Sequence, residues 1–262
     1  MMEEPAKNDI PREALQATTI VQALLGDRVV GLYLFGSAVQ GGLRVDSDVD
    51  VLVLVKQPLL PEARRELVSR LMEISGRIGN TRSARPLELT IVDLADVEPW
   101  RYPPRAEFVF GEWLREQFED GAIPGPTVDP DLTIVLKTLM DHSIPLLGSE
   151  ASSLLPPIPM ADIRRAIKDS LPGLLESLHG DERNVILTLA RMWLTAAQGT
   201  IAPKDVAAAW AMEQLPAEWA SLLNEARQGY LGEVQDNWSG RAAPLKRLVD
   251  QMTWSIRDCL GA

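Results

Sequence analysis

The sequence predicts a fold in two parts, an N-terminal α/β part built on a small mixed sheet and a C-terminal all-α helical bundle. Short, β-branched apolar runs bounded by turn residues lie in the first part, whereas the second part consists of helical segments without strand-like runs. The proline-rich segment Pro156–Pro159 lies between them, and proline cannot continue a helix. We therefore expect one domain over residues 1–157 and a helical domain over residues 158–262.

Three segments of the first part have the composition of buried strands. They are "VVGLYLF" (Val29–Phe35), "DVDVLVLV" (Asp48–Val55) and "PLELTIV" (Pro86–Val92). Between the second and third, "PEARRELVSRLMEIS" carries Leu67 and Leu71 at helical spacing, with Arg and Glu between them. We interpret this segment as an amphipathic helix that covers the sheet, with its charges on a solvated face.

Helical periodicity dominates the second part of the chain. Five segments predict a bundle of helices: "MADIRRAIKDSLPGLLESL", "DERNVILTLARMWLTAAQ", "KDVAAAWAMEQL", "PAEWASLLNEARQGYL" and "APLKRLVDQMTWSIRDCL".

The composition excludes several classes of protein. The net charge of −11 disfavours nucleic-acid binding, which needs a basic surface, although such acidity is commonly a device for solubility. The single cysteine, Cys259, cannot form an intrachain disulfide or a thiolate zinc cluster. We expect a cytoplasmic protein without nucleic-acid, membrane or obligate protein partners, because the N-terminus has no apolar signal-peptide core and no apolar run is long enough to span a bilayer.

A pair of aspartates at the start of the second strand predicts a metal site. Residues two apart on a strand point to the same face, so Asp48 and Asp50 project together. Two neighbouring carboxylates repel each other and lose hydration, and a hard cation such as Mg²⁺ offsets both costs. The alternatives are solvated aspartates on an edge strand, or a turn made by Asp46 and Ser47.

Two further features strengthen this interpretation. The first strand ends in a Gly-Ser turn, Gly36-Ser37, where exposed backbone N–H groups can receive a phosphate. The third strand carries one acid, Glu88, in an otherwise apolar run. Glu88 is either a third functional carboxylate or a residue on a solvent-facing side of its strand.

These motifs resemble those of nucleotidyltransferases. "LFGSAVQGGLRVDSDVDVLV" has the Gly-Ser and Asp-x-Asp signature, and "RPLELTIV" supplies the later carboxylate. Together with "YPPRAEFVFGEWLRE", "DPDLTIVL", "GDERNVILTLARMW" and "APKDVAAAWA", they resemble the aminoglycoside adenylyltransferases, in particular the spectinomycin 9-adenylyltransferase branch. The resemblance implies a nucleotidyltransferase domain followed by helices that contribute to ATP and drug binding, and transfer of AMP from ATP to the 9-hydroxyl of spectinomycin.

The resemblance also implies roles for individual residues. Asp48, Asp50 and Glu88 would hold one or two Mg²⁺ ions, and Glu88 would be the general base and contact the substrate. Trp113 and Asp181 would contact the drug. The residues implied to bind ATP are Gly36, Ser37, Ser47, Asp131, Arg191, Lys204 and Tyr230.

Three of these residues have structural interpretations that the sequence leaves open. Trp113 could belong to the core, Asp181 could be a helix N-cap, and Arg191 could form an ordinary buried salt bridge, because its segment is apolar almost all round.

Other functions also stay open. Relatives that also modify streptomycin carry a histidine where this chain has Asn184, and a tryptophan and an aspartate upstream that "SLPGLLESLHGDE" lacks. Spectinomycin alone is therefore the expected substrate, with a dual spectinomycin and streptomycin enzyme as the alternative. A non-catalytic nucleotide sensor would not need Glu88, and a nucleic-acid-tailing transferase conflicts with the acidic charge.

Overall fold

The computed structural model describes residues 10–79 and 84–261. The chain divides into two compact units, one ending at Ile158 and the other beginning at Pro159. The first unit is α/β and the second is all-α, which confirms the predicted fold class.

The first unit is built on a five-stranded sheet. The strands are β1 (Val29–Phe35), β2 (Val49–Val55), β3 (Leu87–Asp93), β4 (Arg105–Ala106), β5 (Phe108–Phe110), β6 (Thr127–Val128) and β7 (Ile144–Leu147). The order in the sheet is β5-β3-β2-β1-β7; β2 and β3 are parallel and the other neighbours are antiparallel, so the sheet is mixed, as predicted. The helices are α1 (Arg12–Leu25), α2 (Pro61–Ile74), α3 (Leu94–Val97), α4 (Arg115–Glu119), α5 (Leu132–Asp141) and α6 (Ala151–Leu154).

The alternating side chains of β2 separate two apolar cores. Its valines, such as Val51 and Val53, pack on the face that α1 and α2 cover, whereas Leu52 and Leu54 pack against the buried leucines of α5. Each such side chain is fully buried and contributes about 1.5–3 kcal/mol to folding. Because side chains alternate, Asp50 belongs to the face of Leu52. β2 begins at Val49, one residue later than predicted, so Asp48 immediately precedes the strand.

The second unit contains the five predicted helices. They are α7 (Met160–Glu176), α8 (Glu182–Gln198), α9 (Lys204–Glu213), α10 (Ala217–Leu231) and α11 (Ala242–Leu260). The Arg164 guanidinium on α7 donates hydrogen bonds to the carbonyl oxygens of Ala196 and Cys259, near the ends of α8 and α11. One cation therefore ties three helices together. Across residues 10–79 and 84–261, no helix is long and apolar enough to cross a membrane.

One charge of α2 contradicts the expectation of a fully solvated polar face. Arg64 is buried and forms a salt bridge with Glu107, whose side chain is 0% exposed. The same carboxylate accepts a hydrogen bond of 2.7 Å from the backbone N–H of Leu59. The partner lies 43 residues away in the chain, which is why helical periodicity alone does not reveal the pair.

We expect Arg64→Met to lower the free energy of unfolding by about 3–5 kcal/mol, because the buried Glu107 carboxylate then keeps only the 3.9 Å ion pair with Arg105. Urea denaturation measures the loss. The double variant Arg64→Met, Glu107→Gln should recover much of it, since both charges are then absent. A loss below about 1 kcal/mol in the single variant, the range of exposed pairs, would contradict a buried ion pair.

Candidate active site

Asp50 and Glu88 lie side by side at one end of the sheet. Asp50 pairs with Phe35 of β1 on one side and with Glu88 of β3 on the other. Directly paired residues on neighbouring strands project to the same face, and the strands are about 4.8 Å apart. Both residues are half-buried, so the two carboxylates share one partly solvated edge of the sheet.

The Gly-Ser turn lies against the Asp50 carboxylate. Gly36 has a φ of 67°, and a Cβ added there would lie 2.0 Å from Oδ2 of Asp50. Only glycine therefore fits this position, for reasons of both backbone conformation and space. Ser37 occupies the middle of the following 3₁₀ turn, Gly36–Ala38, and is half-buried.

Ser47 forms the turn that leads into Asp48. Its hydroxyl accepts a hydrogen bond of 2.9 Å from the backbone N–H of Arg44, which supports the turn-forming alternative for this residue. The Arg85 guanidinium donates to the carbonyl oxygens of Arg44, at 2.6 Å, and Ser47, at 3.2 Å. Arg85 was not among the predicted site residues, yet it anchors the turn before Asp48 to the chain just upstream of β3.

The side chain of Trp113 is 53% exposed, so the interpretation as a core residue is wrong. Its ring lies over Gly111, where an added Cβ would be 2.3 Å from two ring carbons. Gly111 is extended, with φ −164° and ψ 155°, and follows Phe110, which pairs with Leu89. One residue further along this antiparallel pair, Gly111 falls beside Glu88, and its missing side chain leaves room for the indole on the Glu88 face.

A buried polar network lies beside the turn that carries Trp113. Arg115 donates to both carboxylate oxygens of Glu112, at 2.6 and 2.8 Å, and to the carbonyl oxygen of Ser75, at 3.2 Å. The Ser75 hydroxyl donates to Glu112 and accepts from the backbone N–H of Leu87 at 3.0 Å. The hydrogen bond to Glu112 is the main cause that raises the pKa of Arg115 above its usual value. Sequence reasoning missed this network; the i,i+3 spacing of Glu112 and Arg115 indicates a pair but not its burial.

Two predicted site residues, Asp181 and Lys204, meet at Asn184 near the start of α8 in the second unit. The Asn184 amide donates to Oδ2 of Asp181 at 2.9 Å and accepts a hydrogen bond from the Lys204 ammonium. Asp181 occupies the N-cap position of α8, but its side chain makes no capping hydrogen bond to the backbone. At the next residue, hydrogen bonding to backbone N–H groups lowers the pKa of Glu182.

The remaining predicted nucleotide contacts lie on three helices. Arg191 is on α8 and is half-buried, so it is more exposed than its apolar segment predicts. Tyr230, next to the last residue of α10, is half-buried as well. Asp131 occupies the N-cap position of α5 in the first unit and is exposed.

The donor chemistry of the sheet edge suits a hard divalent cation. Asp50 and Glu88 supply carboxylate oxygens, which Mg²⁺ prefers, and Asp48 comes two residues before Asp50. Within residues 10–79 and 84–261, no group of three or more His, Cys, Asp or Glu side chains is already arranged as a metal site. Asp50 and Glu88 are therefore the candidate ligands that the sheet register brings together, and Asp48 is the candidate next to them in the chain.

The chain matches known proteins over nearly its whole length. Residues 19–97 match the polymerase beta nucleotidyltransferase family and residues 153–255 match the C-terminal domain of aminoglycoside adenylyltransferases. A spectinomycin 9-adenylyltransferase of Staphylococcus aureus is 55% identical, over 96% of this chain and 97% of that protein. An aminoglycoside (3'') (9) adenylyltransferase of Escherichia coli is 39% identical, over 99% of this chain and 100% of that protein.

The chain belongs to the aminoglycoside adenylyltransferase family. A crystal structure of a spectinomycin adenyltransferase from Enterococcus faecialis, with ATP and spectinomycin, matches with a TM-score of 0.89 and 35% identity, over 94% of this chain and 98% of that one. The resemblance inferred from the Gly-Ser and Asp-x-Asp motifs is thus confirmed. In the first unit, Phe35, Asp50 and Glu88 lie in one row across the sheet, and the Gly36 turn follows directly after Phe35.

We expect Gly36→Ala to abolish metal-dependent nucleotide binding by this adenylyltransferase, because the new methyl group displaces the Asp50 carboxylate. Isothermal titration with MgATP measures the loss. Gly26→Ala is the matched control, since Gly26 also has a positive φ, 52°, but an added Cβ there meets no atom within 4 Å. Equal losses of binding in both variants would mean that backbone strain, and not Asp50, is responsible.

Proposed function

We propose that this enzyme transfers AMP from ATP to the 9-hydroxyl of spectinomycin, releases pyrophosphate and thereby gives resistance to the antibiotic. The observation that carries the proposal is the register pair of Asp50 and Glu88 beside the Gly36 turn. The relatives named for spectinomycin 9-adenylylation support the choice of substrate. A cytoplasmic location is part of the proposal, because ATP is the co-substrate.

The three carboxylates at this end of the sheet have different proposed roles. Asp48 and Asp50, with Glu88, are the proposed ligands of one or two Mg²⁺ ions, which would neutralise negative charge on the triphosphate. Glu88 is the proposed general base and accepts the proton of the attacking hydroxyl. Transfers of this kind depend mainly on position and electrostatics, so the fixed register of Asp50 and Glu88 is the chain's main contribution.

The proposed contacts to ATP follow from the family resemblance and from local chemistry. Gly36 and Ser37 offer backbone N–H groups and a hydroxyl to phosphate, and Arg191 and Lys204 offer positively charged groups. The full proposed set is Gly36, Ser37, Ser47, Asp131, Arg191, Lys204 and Tyr230.

The proposed contacts to the drug are Glu88, Trp113 and Asp181. The exposed indole of Trp113, held over Gly111, offers a flat apolar surface on the Glu88 face. Asp181 is an exposed carboxylate. Such groups and the net charge of −11 favour a cationic antibiotic over a polyanion.

Streptomycin modification is the second candidate, because the Escherichia coli relative is named for both the 3'' and 9 positions. This chain carries Asn184 where a histidine is expected in dual enzymes, and the Asn184 amide is already engaged by Asp181 and Lys204. We therefore favour spectinomycin alone.

Release of pyrophosphate from MgATP, measured with spectinomycin, with streptomycin and with neither drug, tests the proposal. We expect release with spectinomycin only. Comparable rates with both drugs would establish the dual enzyme, and release that does not depend on either drug would refute the proposed function.

We expect Glu88→Gln to lose most of the turnover, about 100-fold or more, even at saturating MgATP, because the amide cannot accept the hydroxyl proton. Titration calorimetry establishes the MgATP concentration that saturates the variant, and pyrophosphate release measures its turnover. Near-normal turnover would mean that another group takes the proton.

Asp50→Asn should weaken ATP binding in the presence of Mg²⁺ and change it little in the presence of EDTA, because the amide is a poorer ligand for a hard cation. Calorimetry under both conditions checks this expectation. An equal loss with and without the metal would instead indicate a direct effect on the nucleotide or the fold.

A further inference from the structure

We propose that the buried network of Ser75, Glu112 and Arg115 positions both the proposed base and the proposed aromatic drug contact. We name it the Ser75–Glu112–Arg115 network. The inference rests on the proposed function for the roles of Glu88 and Trp113. The members of the network are positioning residues and touch neither substrate.

The first connection runs to Glu88. The Ser75 hydroxyl accepts a hydrogen bond from the backbone N–H of Leu87, which is the first residue of β3 and the immediate neighbour of Glu88. Ser75 itself caps the end of α2, where its N–H donates to the carbonyl oxygen of Leu71 at 3.0 Å. Ser75 therefore connects the end of α2 to the start of β3, through its backbone N–H at the helix and its hydroxyl at the strand.

The second connection runs to Trp113. Glu112 precedes it in the 3₁₀ turn Glu112–Leu114, and Arg115 begins α4 two residues after it. The side chains of Glu112 and Arg115 are 3% and 11% exposed, whereas Trp113 is 53% exposed. The turn is thus fixed from inside by a bidentate ion pair, while its indole is held over Gly111 on the Glu88 face.

The network closes on itself. Ser75 donates to Glu112, Glu112 accepts from Arg115, and Arg115 donates to the carbonyl oxygen of Ser75. A closed set of buried hydrogen bonds has few alternative arrangements. We therefore expect its loss to move the groups that it holds in place. A displacement of about 1 Å at reacting groups can lower a rate by about 100-fold.

The chain offers a matched control at the other end of β3. Arg64 and Glu107 form another buried Arg–Glu pair, and the backbone N–H of Glu107 donates to the carbonyl oxygen of Ile91 at 2.8 Å. Each pair therefore includes a glutamate close to β3, but only Glu112 lies at the end of the strand that carries Glu88. Any loss due to stability alone should appear in variants of either pair.

The test compares Glu112→Gln, Ser75→Ala and Glu107→Gln at a temperature where circular dichroism shows all three folded. We expect kcat/KM for spectinomycin to fall by about 10- to 100-fold in the first two. The fall should appear in kcat for Ser75→Ala, which acts on Glu88, and in both kcat and KM for Glu112→Gln, which also acts on Trp113. Glu107→Gln should keep wild-type kinetics, and all three variants are compared at saturating MgATP, because Glu88 is also a proposed metal ligand.

Hydrogen exchange tests the positioning without turnover. The peptide that contains Leu87 and Glu88 should exchange faster in Glu112→Gln and Ser75→Ala, and at the wild-type rate in Glu107→Gln. Equal kinetic losses in all three variants, or unchanged exchange in the first two, would overturn the inference. Absence of spectinomycin-dependent pyrophosphate release by the wild-type enzyme would refute the proposed function instead.

Discussion

The parallel pairing of β2 and β3 is the constraint on which the site depends. It sets Asp50 directly opposite Glu88, and the antiparallel pairing of β1 brings the Gly36 turn to the same end of the sheet. These pairings are made by backbone hydrogen bonds, which hold the two carboxylates close together although like charges repel each other. The apolar residues behind them stabilise an arrangement that two like charges would oppose in isolation. A cation bound at this edge would relieve that repulsion, which links metal binding to the stability of the register.

Much of this arrangement can be predicted from the sequence, because it depends on local patterns. Short apolar runs bounded by turn residues identify β1, β2 and β3, and period-2 geometry puts Asp50 on the face of Leu52. The five helices of the second unit follow from their periodicity. The sequence cannot choose between the two interpretations of Trp113, since its exposure depends on the pairing of Phe110 with Leu89 and on the space above Gly111.

What the sequence conceals are the long-range polar contacts. Arg85 lies 41 residues after Arg44 and 38 residues after Ser47 in the chain, yet its guanidinium donates hydrogen bonds to the carbonyl oxygens of both. Arg64 occupies a helix whose other arginines are surface residues, and its partner is 43 residues away. Charged residues in such helices are usually solvated, so the pattern favours the wrong interpretation unless the partner is known. These contacts anchor turns and strand ends, which local patterns do not describe.

Among the described residues of the first unit, the Arg64–Glu107 and Glu112–Arg115 ion pairs differ in a way that follows from their positions. At the Glu88 end, Glu112 uses both carboxylate oxygens in hydrogen bonds to Arg115, and Ser75 joins them to β3. At the other end, Oε2 of Glu107 makes no hydrogen bond to any described residue and has only a 3.9 Å ion pair with Arg105. An incompletely bonded carboxylate costs stability but can tolerate small movements, whereas a bidentate pair tolerates few. The stricter geometry therefore lies at the end of β3 that carries Glu88, the proposed base.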